Sequence, residues 1–187
     1  MANPYIPRAR VHELVEEVAE SPGSHKAVLT YLVRSQRRLA KYVEANARNT
    51  GVGRKGTALF IMGLIARMFD LEGGKMANLS VKTIGEAEQR VAGWAKDVLP
   101  VDDGFAERVR QVAERAQPHI LDECLMSLFD DEELDAAGMA KMFFLMWVVV
   151  ESYDASWSPP QGFDGESTYT YVDVEGASMN QVDVELG

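Results

Sequence analysis

Seven cations crowd one stretch of this chain: Arg34, Arg37, Arg38, Lys41, Arg48, Arg54 and Lys55. Glu44 is the only acid between Arg34 and Lys55. If one helix runs through the segment, Arg34, Arg37, Arg38 and Lys41 fall at i, i+3, i+4 and i+7 and share a face. Such a face meets carboxylates on a protein or phosphates on a nucleic acid, and Tyr31 and Tyr42 flank it as stacking surfaces. Cation rows on helices are also commonly just solvated. The rest of the chain gives this row a context. Met1–Lys55 holds ten Lys/Arg against five Asp/Glu, whereas Ala116–Gly187 holds fifteen Asp/Glu against the single cation Lys141. A partner for either half is another part of the chain, a second copy or a different molecule. The chain's own carboxylates compete with phosphate, so a protein contact is favoured over nucleic acid.

Other spacings suggest chemistry and then fail a requirement. Gly51–Val52–Gly53–Arg54–Lys55–Gly56–Thr57 leads into a helix, where backbone N–H groups favour phosphate. A phosphate loop needs Lys directly before Ser/Thr and a buried strand ahead of it. Here Gly56 occupies the Lys position and a polar helix precedes. His12–Glu13–Leu14–Val15–Glu16 has Glu16 where a zinc-protease helix needs its second histidine. His119 and Glu123 share a face at i, i+4, and no Glu-x-x-His pair exists to build a di-iron bundle. Cys124 falls on the apolar stripe of Leu121 and Leu128 and reads as a small buried hydrophobe. No Gly-x-Ser-x-Gly elbow occurs. The expectation is a noncatalytic protein with no metal and no cofactor.

The elements that position these residues read as helices. Pro7 suits a first turn, followed by the stripe Val11, Leu14, Val15, Val18. Ser21–Pro22–Gly23–Ser24 interrupts it. A single long helix is then predicted over His25–Arg48, with Val28, Leu32, Leu39 and Val43 inward and Arg37 and Arg38 exposed opposite them. Asn49–Gly56 is a loop. Thr57–Leu71 is apolar on all sides until Arg67, which predicts a central helix. Thr83 and Glu86 match a capping box for the stripe Ile84, Ala87, Val91, Trp94, Val98. Asp102 or Asp103 caps a helix carrying Phe105, Val109, Val112 and Ala116, and Pro118 restarts the chain. The acidic run Asp130–Asp135 opens a last helix over Glu132–Ser152. Its Met139, Met142, Phe143, Phe144, Met146 and Trp147 serve as core or as a subunit interface.

After Trp157 the composition changes. Ser158–Gly162 resembles a linker, and Thr168–Glu175 and Gln181–Leu186 alternate like the strands of a β-hairpin. An isolated hairpin is marginal in water, so this arm is either a loose tail or docks on something, a neighbouring copy being the expectation. Tyr169 and Tyr171 are its candidate contact residues.

The 187 residues are thus expected to form an all-α helical domain of six to eight helices over 1–157, with an extended or hairpin-like arm over 158–187. One cysteine excludes an internal disulfide and points to a reducing compartment. The longest apolar runs are Ala58–Ala66 and Met142–Val150, far short of the about 20 residues a membrane span needs. The sequence therefore predicts a cytoplasmic protein, or a component of a phage or virus assembly, with no membrane role. The functional expectation is a helical interaction or assembly protein that self-associates or docks on a protein partner through complementary charge. The alternatives are a nucleic-acid-associated regulator using Arg34–Lys55, and an acidic decoy of nucleic acid.

Overall fold

A computed structural model describes residues 2–50, 54–129, 131–171 and 182–184. Among the described residues the fold is all-α, with eight α-helices and a short C-terminal arm. The helices are α1 (Arg8–Glu20), α2 (Pro22–Ser35), α3 (Arg37–Ala47), α4 (Arg54–Glu72), α5 (Val81–Val98), α6 (Phe105–Arg110), α7 (Pro118–Phe129) and α8 (Ala136–Ser156).

The core is built on α8, whose apolar surface is nearly all covered. Met142, Phe143, Met146, Trp147, Val149 and Val150 are fully buried. Of the two sequence expectations for the Met-rich helix, core packing is the one observed. By length and composition this helix is apolar enough to cross a membrane, yet most of it is buried inside the fold. Its start is set by Asp135, whose Oδ1 accepts from Gly138 N at 2.7 Å. Trp147 stacks on Trp94 of α5, with ring centroids 5.3 Å apart, and Phe143 meets Phe105 of α6 edge-on at 5.8 Å. The buried carboxylate of α8, Glu151, is held by donors from three residues. Ala116 N donates at 2.7 Å, Trp147 Nε1 at 3.3 Å and Arg90 Nη2 at 3.3 Å. Burial nevertheless raises the Glu151 pKa above the ordinary value.

Several boundaries differ from the sequence reading. The N-cap of α5 is Ser80, not Thr83: Ser80 Oγ accepts from Thr83 N at 3.0 Å. α6 is one short helix ending at Arg110, and α8 begins at Ala136 instead of Glu132. The largest difference lies at Gln36. The predicted helix His25–Arg48 is two helices, because Gln36 leaves helical geometry at φ −112° and ψ 60°. Its side chain is buried and spans to the segment before α5, where Oε1 accepts from Leu79 N at 3.0 Å and Nε2 donates to Ala77 O at 3.2 Å. That amide supplies backbone partners to an otherwise irregular stretch, which favours the break.

Glycine eases two close approaches between elements. At Gly63, where α4 crosses α2, an added Cβ would sit 3.1 Å from Leu29 Cβ and 3.2 Å from Leu29 O. Gly74 has φ +83° and lies against Ser158 O, next to the antiparallel pairing of β1 (Lys75–Met76) with β2 (Trp157–Ser158). The expected hairpin appears as β3 (Tyr169–Tyr171) paired antiparallel with β4 (Val182–Val184), Tyr169 opposite Val184.

Candidate functional site: a cation-rimmed groove

The break at Gln36 decides where the cations go. Arg34 ends α2, while Arg37, Arg38 and Lys41 lie on α3, so the four do not share one helical face. The angle between α2 and α3 instead opens a groove of about 860 Å³, closed on its third side by α4. Arg34, Arg37 and Lys41 line it, and Lys26 joins them. Its floor is apolar: Leu29 and Val33 from α2, Ala40 from α3, Leu59 and Phe60 from α4. Phe60 is 43% exposed, an unusual state for an aromatic on a central helix. Among the described lining residues the one carboxylate is Glu44, and Lys55 Nζ already pairs with it at 3.0 Å.

The remaining cations go elsewhere. Arg38 is exposed and faces the neighbouring hollow beside Asn78 and Leu79. Arg48 is exposed in the 3-10 turn Arg48–Thr50. Arg54 is largely buried and makes ion pairs with Asp131 at 2.6 Å and Glu133 at 3.1 Å. The glycine loop 51–53 and Asp130 lie outside the described residues. Tyr31 is 69% exposed and lines a separate hollow. The Tyr42 hydroxyl donates to Glu88 at 2.9 Å on another face. The two tyrosines therefore do not flank the cation row.

The acidic half of the chain does meet cations of the basic half, but not those of the groove. Arg10 Nη2 binds Asp164 at 2.8 Å and Arg54 holds Asp131; the His12 ring also reaches the acidic half, with Nδ1 3.1 Å from Glu123 Oε1. Among the described residues no ion pair holds Lys26, Arg34, Arg37, Arg38 or Lys41.

A second cluster lies where the arm crosses α1 and α7. The arm is tied to the N-terminus by the bridge Tyr5–Glu166, with Tyr5 N donating to Glu166 O at 2.7 Å and Glu166 N to Tyr5 O at 2.9 Å. Tyr169 is 3% exposed and packs into its own chain. Its hydroxyl donates to Asp122 Oδ2 at 2.7 Å, and the Arg115 guanidinium lies 4.3 Å from its ring centroid. His119 Nε2 donates to Glu166 Oε2 at 2.6 Å. Burial lowers the His119 pKa against the pull of Glu166 and raises that of Asp122 despite Tyr169, Arg115 and Arg110. His119 and Glu123 thus take separate partners. The Cys124 thiol, buried beside them, is pushed up to about 12, so it stays protonated and unreactive at neutral pH. The Tyr171 backbone lies in β3 opposite Val182.

The sequence reading missed Lys26, Leu29, Val33, Leu59 and Phe60. The signal for α2 was present, because Val28, Leu29, Leu32 and Val33 make it apolar on two sides. The Phe60 run reads as buried on every side, and nothing local marks the flank left open. No protein-family model, curated protein or solved structure matches this chain.

Proposed function

We propose that the chain is a noncatalytic docking protein whose α2–α3–α4 groove receives an apolar surface flanked by carboxylates on a protein partner. One observation carries the reading: among the described residues the four groove cations hold no ion pair, in a chain with 29 Asp/Glu and a net charge of −10. Cations left uncovered in so acidic a chain form a local field that attracts and orients an anionic partner. The apolar floor favours a protein over a nucleic-acid backbone, since Leu29, Val33 and Leu59 gain nothing from a phosphate. The tyrosines that would stack bases lie off the groove.

A second copy is one source of such a surface. Met126 is 37% exposed and Phe129 50% exposed at the end of α7, and exposed Glu132 and Glu133 follow. Light scattering over a range of concentrations tests self-association directly.

The main test is fluorescence anisotropy with two labelled probes, a Leu/Glu peptide and a single-stranded oligonucleotide. The peptide is expected to bind, and Arg34→Glu with Arg37→Glu to weaken it by at least about tenfold. Tighter binding of the oligonucleotide, lost in the same variant, would replace this reading with the nucleic-acid alternative.

A further inference from the structure

Resting on the docking reading, we infer that the groove's occupant is an amphipathic α-helix of a partner protein, with an apolar stripe bordered by carboxylates one and two turns apart. The groove's walls carry this. All fourteen described lining residues belong to α2, α3 or α4. Apart from the terminal turns, helical backbone groups pair within their own helix, so these walls offer no strand edge. An extended segment laid here would find no backbone partner for its own N–H and C=O groups, which is costly once the apolar floor excludes water. A polyproline segment needs a slot walled by aromatic rings, and Phe60 is the only aromatic among the described lining residues. A helix satisfies its backbone internally and needs only side-chain contacts.

The dimensions agree. Leu29 and Val33 lie one turn apart on α2, and Gly56 and Phe60 one turn apart on α4. These rows line a trough into which the stripe of another helix fits. The space above Gly23 and Gly56 is open, since a Cβ added at either would meet nothing within 4 Å. The cations set the charge pattern. Lys26 and Arg34 stand eight residues apart on α2, about 12 Å at 1.5 Å per residue, and Arg37 and Lys41 stand one turn apart on α3. Carboxylates at i, i+4 and i+8 beside the apolar stripe match both spacings.

The experiment uses the full chain and three labelled peptides of about 18 residues, long enough to sustain a helix. The first places Leu at helical spacing with Glu on its borders. The second has the same composition in strict alternation. The third is the first with every Glu replaced by Lys. The first is expected to bind at least about tenfold more tightly than either of the others, with a rise in its helicity on binding. Phe60→Glu, at an exposed position, and Arg37→Glu are each expected to weaken it by a similar factor. If the alternating peptide binds as tightly as the first and Arg37→Glu weakens both, the helix inference fails and the docking reading stands. If neither variant weakens any peptide, both fail. Absence of binding by the first peptide also overturns the helix inference.

Discussion

The groove and the arm's seat are made from the same materials and use them in opposite ways. Each combines an aromatic ring, an arginine-rich border and carboxylates within reach in the sequence. At the arm, Tyr169 is buried, Arg115 covers its ring, and Asp122 and Glu166 accept from Tyr169 and His119. At the groove, Phe60 stays exposed and Lys26, Arg34, Arg37 and Lys41 make no ion pair among the described residues. A buried, partnered cluster holds a fold together, because removing one member strands the others without solvent. An exposed, unpartnered one contributes little to stability. What the contrast teaches is that charge asymmetry along a chain does not locate an interface. The cations left over after the chain has paired its own halves are the ones we propose to do so.

The sharpest way to break this comparison is Tyr169→Ala. It empties a buried aromatic site and leaves Asp122 without its donor and Arg115 without its ring. The expected loss of stability is about 3–5 kcal/mol by chemical denaturation, with groove binding of the acidic peptide unchanged. A loss below about 0.5 kcal/mol would mean that the arm is not part of the folded unit.

Gly63→Val tests whether the groove depends on the α2–α4 crossing. Its branched side chain would press on Leu29 and Val33, which are also groove floor. Overpacking there is expected to cost about 1–3 kcal/mol and to weaken peptide binding as well, whereas Tyr169→Ala affects stability alone.

A smaller effect depends on pH. The folded pKa of His119 lies below its unfolded value of 6.5, first because of burial. Its stability contribution is complete above pH 6.5 and is lost as the pH falls through the folded value. Asp122, whose folded pKa is raised, acts with the opposite sign: its contribution is complete below its unfolded value and is lost as the pH rises. Comparison of wild type with His119→Gln isolates the histidine. The variant is expected to lose less stability between pH 7.5 and 5, a range bracketing 6.5, and equal losses would show that another group governs acid sensitivity.

The sequence made these two regions legible to different degrees. The all-α architecture, the α8 core and the exposure of Arg37 and Arg38 follow from apolar periodicity, because burial of a stripe is what forms a helix in water. The hairpin pairing of the arm follows from alternation. The kink at Gln36 does not. Glutamine is a good helix former, and the residue breaks the helix only because its amide reaches Ala77 and Leu79, 41 and 43 residues away. Without that break Arg34, Arg37 and Lys41 read as one solvated face and no groove exists. The same holds for Tyr169, whose partners Asp122 and Arg115 meet it only through the tertiary fold.

The smallest expected effect separates the two regions most cleanly. Arg34→Glu combined with Arg37→Glu reverses two exposed charges that hold no ion pair among the described residues, so stability should change by no more than about 0.5 kcal/mol. The sign is expected to be slightly unfavourable, since the chain already carries a net charge of −10 and added acid increases its self-repulsion. Against that near-silence in the melting curve, the acidic peptide should bind at least about tenfold more weakly, and the remaining binding should respond less to added salt. The adjacent charge supplies the control. Arg38 is equally exposed but faces the hollow beside Asn78 instead of the groove, so Arg38→Glu should match the double variant per charge in stability and leave peptide binding near wild type. If Arg38→Glu weakens the peptide as much as Arg37→Glu does, the attraction comes from the overall basic character of α3. The groove would then have no special claim on the partner, and the contrast with the arm's seat would reduce to one between exposed and buried charge.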